Sequence, residues 1–161
     1  MLFNNSFILA SSSFSRYTIL KNINLNFKQI KPFCDEELIK KKLTNNNKNP
    51  KYISLELAKA KSKSVSLKNK KKLVVGCDTV ICLKNKILMS KAKNMNDAKN
   101  KIMSLSGKNN VIYSSASVFY GGKEIWNCTQ KTIFKTRKLN EKDVIKYLRK
   151  TGKQILNSVG C

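Results

Sequence analysis

The most apolar segment of the chain, residues 73–83 (LVVGCDTVICL), constrains its fold more than any other feature. Its valines and isoleucines are typical of a buried β-strand, and lysines bound it on both sides. Asp78 stands in the middle of this strand, where a carboxylate is costly to bury unless it is paired or bound to a metal ion. Gly76 nearby would leave room for a ligand to approach closely. The segment therefore predicts a central strand that carries one functional carboxylate.

Predicted strands and helices alternate along the 161 residues. Further strands are expected at residues 6–10, 25–30 and 87–89, the last one after a turn at residues 84–86. Helices are expected at residues 14–22, with Tyr17, Ile19 and Leu20 on the apolar side, and from Pro50 onward, at 96–105 and at 140–150. Residues 111–120 and 124–137 predict a hairpin that turns at Gly121-Gly122, and the Lys- and Asn-rich residues 40–51 predict a solvated loop. This order favours a single α/β domain with a mixed sheet over an all-β fold or a helical bundle.

The sequence has no histidine, and its five cysteines form no CxxC pair. Ser-His and Cys-His catalysis are therefore excluded, and a zinc site is disfavoured. Unpaired cysteines, the absence of a basic region before the first apolar stretch, and the absence of an apolar run of ~20 residues predict a cytoplasmic protein without a membrane span. Carboxylates, lysines, arginine, hydroxyls and a hard metal ion remain as the candidate chemistry.

The formal net charge is +24, from 33 basic and 9 acidic residues. Such a charge attracts polyanions, and a basic nucleic-acid-binding module is one interpretation. All but three of the basic residues are lysines, however, and aromatic residues make up only 8% of the chain. A nucleic-acid surface favours arginine and interleaved aromatic residues. We therefore expect solvated lysines, produced by AT-rich codon usage, and no specific nucleic-acid partner.

Two short polar segments are candidate sites besides Asp78. Residues 10–16 (ASSSFSR) lie between a predicted strand and a predicted helix, so Ser11, Arg16 and backbone N–H groups could bind an anion such as phosphate. The same serines could simply cap the helix. Asp35-Glu36-Glu37 groups three of the nine acidic residues. These carboxylates could bind Mg²⁺ or Mn²⁺, or could stabilise the positive end of a helix.

The order of several motifs resembles the Maf family of nucleoside triphosphate pyrophosphatases. These motifs are ILASSSFSR (8–16), CDEE (34–37), LAKAK (57–61), VGCDTV (75–80), SKAKNMNDA (90–98), LSGK (105–108) and SVGC (158–161). The resemblance covers nearly the whole chain and implies one Maf-like domain over residues 1–161. It also implies that family members continue beyond this point, so that the chain lacks their C-terminal end.

The resemblance implies a function for individual residues. Ser11 and Arg16 would belong to a phosphate-binding loop, Glu36 and Asp78 would be the catalytic and metal-binding carboxylates, and Lys61 and Lys91 would contact the triphosphate. The implied fold is a mixed sheet flanked by helices, with a cleft between two lobes. The implied cofactor is Mg²⁺ or Mn²⁺, and the implied partners are a nucleoside triphosphate and a second copy of the chain in a homodimer.

The implied reaction is attack of water on the α-phosphorus, which releases pyrophosphate and a nucleoside monophosphate. Asp78-Thr79-Val80 is closer to the family branch that acts on dTTP and UTP than to the branch that acts on 7-methyl-GTP. The family loop usually has a proline and a basic residue where this chain has Phe14 and Ser15, so one phosphate contact would be missing. A fragment that binds nucleotide without turning it over is the alternative interpretation.

Overall fold

The computed structural model describes residues 6–83 and 88–157, which form an α/β fold. Five strands make one mixed sheet in the order β2-β1-β3-β4-β5, and β1 pairs in parallel with both β2 and β3. The strands are β1 (Phe7–Ala10), β2 (Phe27–Ile30), β3 (Val74–Cys82), β4 (Asn109–Tyr120) and β5 (Lys123–Lys135). The helices are α1 (Phe14–Asn22), α2 (Glu36–Asn45), α3 (Pro50–Ser66), α4 (Met95–Leu105) and α5 (Glu141–Thr151), followed by a 3₁₀ turn (Gly152–Asn157). The predicted fold class is confirmed.

The chain divides into two compact units, residues 1–78 with 114–130 and residues 79–113 with 131–161. The first unit has a core of buried residues from β1, α3 and β3: Ile8, Ala10, Val65 and Val74. The second has a core that α4, α5 and the 3₁₀ turn share: Ala98, Ile102, Val144, Leu148 and Ile155. Within residues 6–83 and 88–157, no helix has both the length and the apolar character to cross a membrane.

Local sequence signals account for most element boundaries. Asn49 caps α3 by accepting a hydrogen bond from the Tyr52 N–H, and Pro50 occupies the first turn, where its missing N–H costs nothing. Asn140 and Asp143 form a reciprocal capping box at the start of α5. Gly121 and Gly122 both have positive φ angles, 57° and 81°, which a tight turn between two strands requires. The predicted hairpin and last helix are confirmed.

The predicted solvated loop at residues 40–51 is wrong, because α2 occupies its first half and α3 begins at Pro50. The Asp35 side chain caps α2 by accepting a hydrogen bond of 2.9 Å from the Leu38 N–H. Lysine is a good helix former, so a Lys-rich segment that begins with a strong cap can be helical without burying a side chain.

Two smaller predictions concern the apolar face of α1 and the segment after β3. Ile19 was expected on the apolar face of α1, but 61% of its surface is exposed. Of the strand predicted at residues 87–89, only Leu88 and Met89 are described, and Leu88 forms an isolated antiparallel bridge with Cys82. The turn predicted at residues 84–86 lies outside the described residues.

Candidate functional site

Three charged side chains meet at the middle of β3. The Lys61 Nζ atom lies 2.7 Å from Asp78 Oδ1 and 2.8 Å from Glu36 Oε2. The side chains of Lys61 and Asp78 are only 6% and 11% exposed, whereas that of Glu36 is 43% exposed. Asp78 is therefore a paired carboxylate, as its position in an apolar strand requires.

Close packing of α3 against β3 brings Lys61 to Asp78. A Cβ atom at Gly76 would lie 2.4 Å from the Ala58 carbonyl oxygen and 2.6 Å from the Ser62 backbone nitrogen. Backbone atoms cannot move aside unless the whole helix shifts, so a side chain at position 76 would push α3 away from the strand. The expectation that Gly76 leaves room for a ligand is wrong: α3 fills that space.

The pKa of Asp78 is raised above its ordinary value, chiefly because burial removes water from the carboxylate. The positive charges of Lys61 and Arg16 oppose this rise by favouring the ionised form, and the neighbouring Glu36 carboxylate adds to it. The ion pair with Lys61 would by itself lower the pKa, so the loss of water is the larger effect. A carboxylate with a raised pKa is a better proton acceptor than an ordinary aspartate.

The turn between β1 and α1 is a compact polar loop around Ser11, which is 3% exposed. The Ser11 Oγ atom accepts hydrogen bonds from the Ser13 N–H at 3.2 Å and from Arg16 Nη1 at 3.4 Å. The Ser13 side chain accepts the Arg16 N–H at 3.3 Å and so caps α1. The capping interpretation of these serines therefore holds for Ser13, while Ser11 fixes the guanidinium of Arg16.

The Maf-like protein family matches residues 6–161, nearly the whole of this sequence. The chain belongs to the Maf family. A Maf relative from Bartonella henselae, named 7-methyl-GTP pyrophosphatase, is 36% identical over 153 residues, which are 95% of this chain and 76% of the relative. A relative from Caulobacter vibrioides, named nucleoside triphosphate pyrophosphatase, is 31% identical over 95% of this chain and 76% of the relative.

A third relative in the Maf family carries another substrate in its name. The dTTP/UTP pyrophosphatase of a Wolbachia species from Brugia malayi is 35% identical over 148 residues, 91% of this chain and 71% of the relative. Among solved structures, a HAM1 protein from Coxiella burnetii has a TM-score of 0.52 at 10% identity and covers 81% of this chain and 71% of its own. At that identity the likeness shows a common fold alone.

Five of the six candidate residues lie in the first compact unit of this Maf chain: Ser11, Arg16, Glu36, Lys61 and Asp78. Glu36, Lys61 and Asp78 are in direct contact, and Arg16, fixed by Ser11, acts electrostatically on Asp78. The helix-end interpretation of the acidic cluster is confirmed, because all three residues lie at the start of α2, whereas metal binding by these carboxylates stays a prediction. Asp35 caps α2 and Glu37 lies in its first turn, whereas Glu36 in that same turn also reaches Lys61.

The sixth candidate, Lys91, belongs to the second unit, and its residue is exposed. Its backbone carbonyl accepts a hydrogen bond of 2.7 Å from Lys101 Nζ. Lys61 and Lys91 therefore differ in burial and in how their surroundings hold them.

Contacts that sequence reasoning missed support the site. Gln29 Nε2 on β2 donates to the Ser13 carbonyl oxygen at 3.2 Å and so stabilises the loop between β1 and α1. Only the pairing of β2 with β1 could have indicated this contact from the sequence. Cys34 and Cys77 flank the carboxylates in sequence. Burial raises the pKa of both thiols, so neither is activated as a thiolate nucleophile.

Proposed function

We propose that this chain hydrolyses nucleoside triphosphates to a nucleoside monophosphate and pyrophosphate. The observation that carries the proposal is the buried Lys61 ammonium between the Glu36 and Asp78 carboxylates, in a member of the Maf family. Relatives that bear pyrophosphatase names support the same reaction. No histidine occurs in the sequence, and the reaction requires none.

The polar loop and Lys61 bind the triphosphate in this proposal. Arg16 presents a planar set of donors suited to phosphate oxygens, and Ser11 fixes its direction. An ammonium group has three N–H donors, and the two carboxylates use two of those of Lys61. The third is directed to a phosphate oxygen, where the positive charge stabilises the negative charge that develops during bond cleavage.

Asp78 acts on the attacking water. Its raised pKa makes it a stronger base than an ordinary aspartate towards the attacking water, and the burial that raises the pKa also limits competing solvent. The water oxygen forms a bond to the α-phosphorus, the bond from this phosphorus to the bridging oxygen breaks, and pyrophosphate leaves. Lys61 keeps the carboxylate in place through the 2.7 Å hydrogen bond.

The donor set fits a magnesium or manganese ion shared with the substrate. No group of three or more carboxylate or cysteine side chains that could hold a metal occurs in residues 6–83 and 88–157. Two carboxylates do converge there, and Mg²⁺ is commonly bound by one or two carboxylates with phosphate oxygens and water. Glu36 and Asp78 would hold the ion, which would polarise phosphate oxygens and neutralise their charge.

A release assay tests this proposal. Pyrophosphate release is measured with dTTP, UTP, CTP and 7-methyl-GTP, each with Mg²⁺ and with Mn²⁺. We expect metal-dependent release, fastest with dTTP or UTP because Asp78-Thr79-Val80 resembles the family branch that acts on these two nucleotides. Fastest release with 7-methyl-GTP would contradict the base preference and leave the reaction intact.

Asp78→Asn is the matched control, since it keeps the shape of the side chain and removes its charge. Loss of a positioned acid–base group should lower kcat by at least about 10²-fold. Unchanged turnover would mean that Asp78 is structural and that this site is not catalytic. Binding of a non-hydrolysable α,β-methylene triphosphate without any pyrophosphate release would contradict the enzymatic proposal in favour of a nucleotide-binding fragment.

Three wider assignments rest on the family membership. We propose that residues 1–161 act as one Maf domain, that the protein works in the cytoplasm where nucleoside triphosphates are made and used, and that it pairs as a homodimer. Light scattering on the purified protein tests the pairing, and a monomeric mass at assay concentration would contradict it.

A further inference from the structure

Ser64 on α3 connects the two segments that carry Lys61 and Glu36. Its hydroxyl donates to the Lys61 carbonyl oxygen at 2.9 Å and accepts the Phe33 N–H at 3.1 Å. A hydroxyl has one donor and two acceptor positions, so it can make both hydrogen bonds at once. One serine therefore links the main chain of α3 at Lys61 to the main chain three residues before Glu36.

α2 needs such a link, because its own packing does not fix the position of Glu36. Glu36 is the first residue of this helix, and within α2, all of which the structure describes, no side chain is buried. The Asp35 cap accepts the Leu38 N–H, a group of α2 itself, so it shapes the start of the helix without attaching it to another element. The ion pair of Glu36 with Lys61 does reach α3, but the Glu36 side chain is 43% exposed and water competes for it.

α3 is a firm support by contrast. Ala58 and Val65 are fully buried on this helix, and the helix backbone packs closely against Gly76 of β3. The Cys34 side chain, next in sequence to the residue whose N–H Ser64 accepts, also forms a hydrogen bond with Ser64. Ser64 therefore fastens the segment before α2 to a helix that cannot easily shift.

We propose that Ser64 is a positioning residue, which holds the segment leading into α2 so that the Glu36 carboxylate can bind the metal ion together with Asp78. This inference rests on the proposed function, which assigns the ion to these two carboxylates. Ser64 itself touches neither the ion nor the nucleotide. Its effect on metal binding passes through the position of Glu36.

Ser64→Ala tests the inference, because alanine removes the hydroxyl and is the best helix former, so that α3 is not weakened. The probe is Mn²⁺ without nucleotide, and its Kd is measured from the electron paramagnetic resonance signal of the free ion. We expect this Kd to rise about tenfold, the lower end of the range for residues that orient metal ligands. Ser64→Thr keeps the hydroxyl and should restore most of the affinity.

Ser62→Ala is the matched control on the same helix. The Ser62 hydroxyl donates within α3, to the Ala58 and Lys59 carbonyl oxygens at 3.0 Å and 3.2 Å. Its loss should leave the Kd of Mn²⁺ unchanged. Equal effects of Ser62→Ala and Ser64→Ala would mean that any lost serine hydroxyl disturbs α3, and would overturn a specific role for Ser64.

A double-mutant cycle with Glu36→Gln separates positioning from a general effect on the site. If Ser64 acts through Glu36, the double variant should bind Mn²⁺ no more weakly than Glu36→Gln alone, whereas additive losses would overturn the inference. If Glu36→Gln leaves the Kd unchanged, the metal assignment of Glu36 fails and the inference with it. If Glu36→Gln weakens binding and Ser64→Ala does not, the inference alone fails. Pyrophosphate release by the wild type tests the proposed reaction separately.

Discussion

Lys61 is buried between two carboxylates, whereas Lys91 is exposed on a segment that another lysine holds by its backbone. The family resemblance assigns both lysines to the same task, contact with the triphosphate. Their surroundings give them different means of doing it. The direction of Lys61 is set by ion pairs on its own ammonium, and that of Lys91 only by the position of its main chain.

This difference separates the two residues in energetic terms. Removing one member of a buried ion pair leaves an uncompensated charge in the interior, so Lys61 contributes to folding in addition to the binding role proposed for it. An exposed lysine has no such role, and its replacement affects folding by about 0.5 kcal/mol or less. Stability measurements can therefore distinguish the two lysines before any substrate is added.

Replacement of Lys61 should have the largest effect. In Lys61→Met, the buried Asp78 carboxylate loses its partner, and we expect the free energy of unfolding to fall by about 3 kcal/mol, as for other broken buried pairs. The figure is at the lower end of the usual range because Glu36 stays half-exposed and hydrated. Urea unfolding at pH 7 measures the change, and pyrophosphate release should fall by at least about 10²-fold.

Lys59→Met provides the control, because Lys59 lies two residues away on α3 and pairs with Glu124 at 3.1 Å on the surface. Its loss should cost less than about 1 kcal/mol. Mn²⁺ should raise the melting temperature of Lys61→Met more than that of the wild type, since the ammonium no longer competes for the two carboxylates. Equal stability losses in Lys59→Met and Lys61→Met would remove the distinction between a buried and a surface pair.

The sequence alone could identify one half of this site. Asp78 is recognisable because a carboxylate interrupts the most apolar strand. Its partner is not, because Lys61 is one of thirty lysines and nothing in its neighbours marks it out. The contact exists because α3 packs directly against Gly76 of β3, a tertiary approach that periodicity does not predict. Only the order of the family motifs indicated Lys61.

The difference between buried and exposed segments also explains which secondary-structure predictions were wrong. Strands and helices with an apolar face, such as β3 and α4, were predicted within about two residues, because burial leaves a periodic pattern. α2 buries none of its side chains, so its sequence carries no such pattern, and composition wrongly indicated a loop. The Asp35 cap determines where α2 begins, but from the sequence the same residue is equally a candidate metal ligand.

The pH dependence of stability should show an intermediate effect with a defined sign. Between the ordinary pKa of 3.8 and the raised pKa in the folded state, Asp78 holds a proton that the unfolded chain has lost. Folding is therefore favoured below this window, and the contribution is lost as pH rises through it. Asp78→Asn lacks this titration, so the stability of the wild type relative to the variant should fall with rising pH.

Urea unfolding from about pH 2 to about pH 7 measures this difference. Asp97→Asn provides a control of opposite sign, since the pKa of Asp97 is lowered and its contribution is gained as pH rises through the folded value. That effect should be small, because Asp97 is only partly buried and solvent screens its charge. A rise with pH for Asp78 would mean that pairing with Lys61 outweighs burial.

The smallest effect is expected from four surface lysines, which test whether the +24 charge itself binds nucleotide. Lys68, Lys70, Lys71 and Lys72 are all exposed. Lys68 lies over the ring of Phe33, and Lys72 donates to Ser6. At physiological salt, exposed charges are screened over a distance of about 8 Å. Replacing all four with glutamine should leave KM unchanged at fixed ionic strength.

Single replacements of Lys61 and of Lys91 are the comparison for this quadruple variant. Lys61→Met or Lys91→Met changes the net charge by one, and the quadruple variant changes it by four. If charge number governed nucleotide binding, the quadruple variant would lose the most affinity. If position governs it, either single variant loses more, because an ammonium against a phosphate oxygen has little water between the two charges. A larger loss in the quadruple variant would make the basic surface functional and would displace the phosphate site from Lys61 and Lys91.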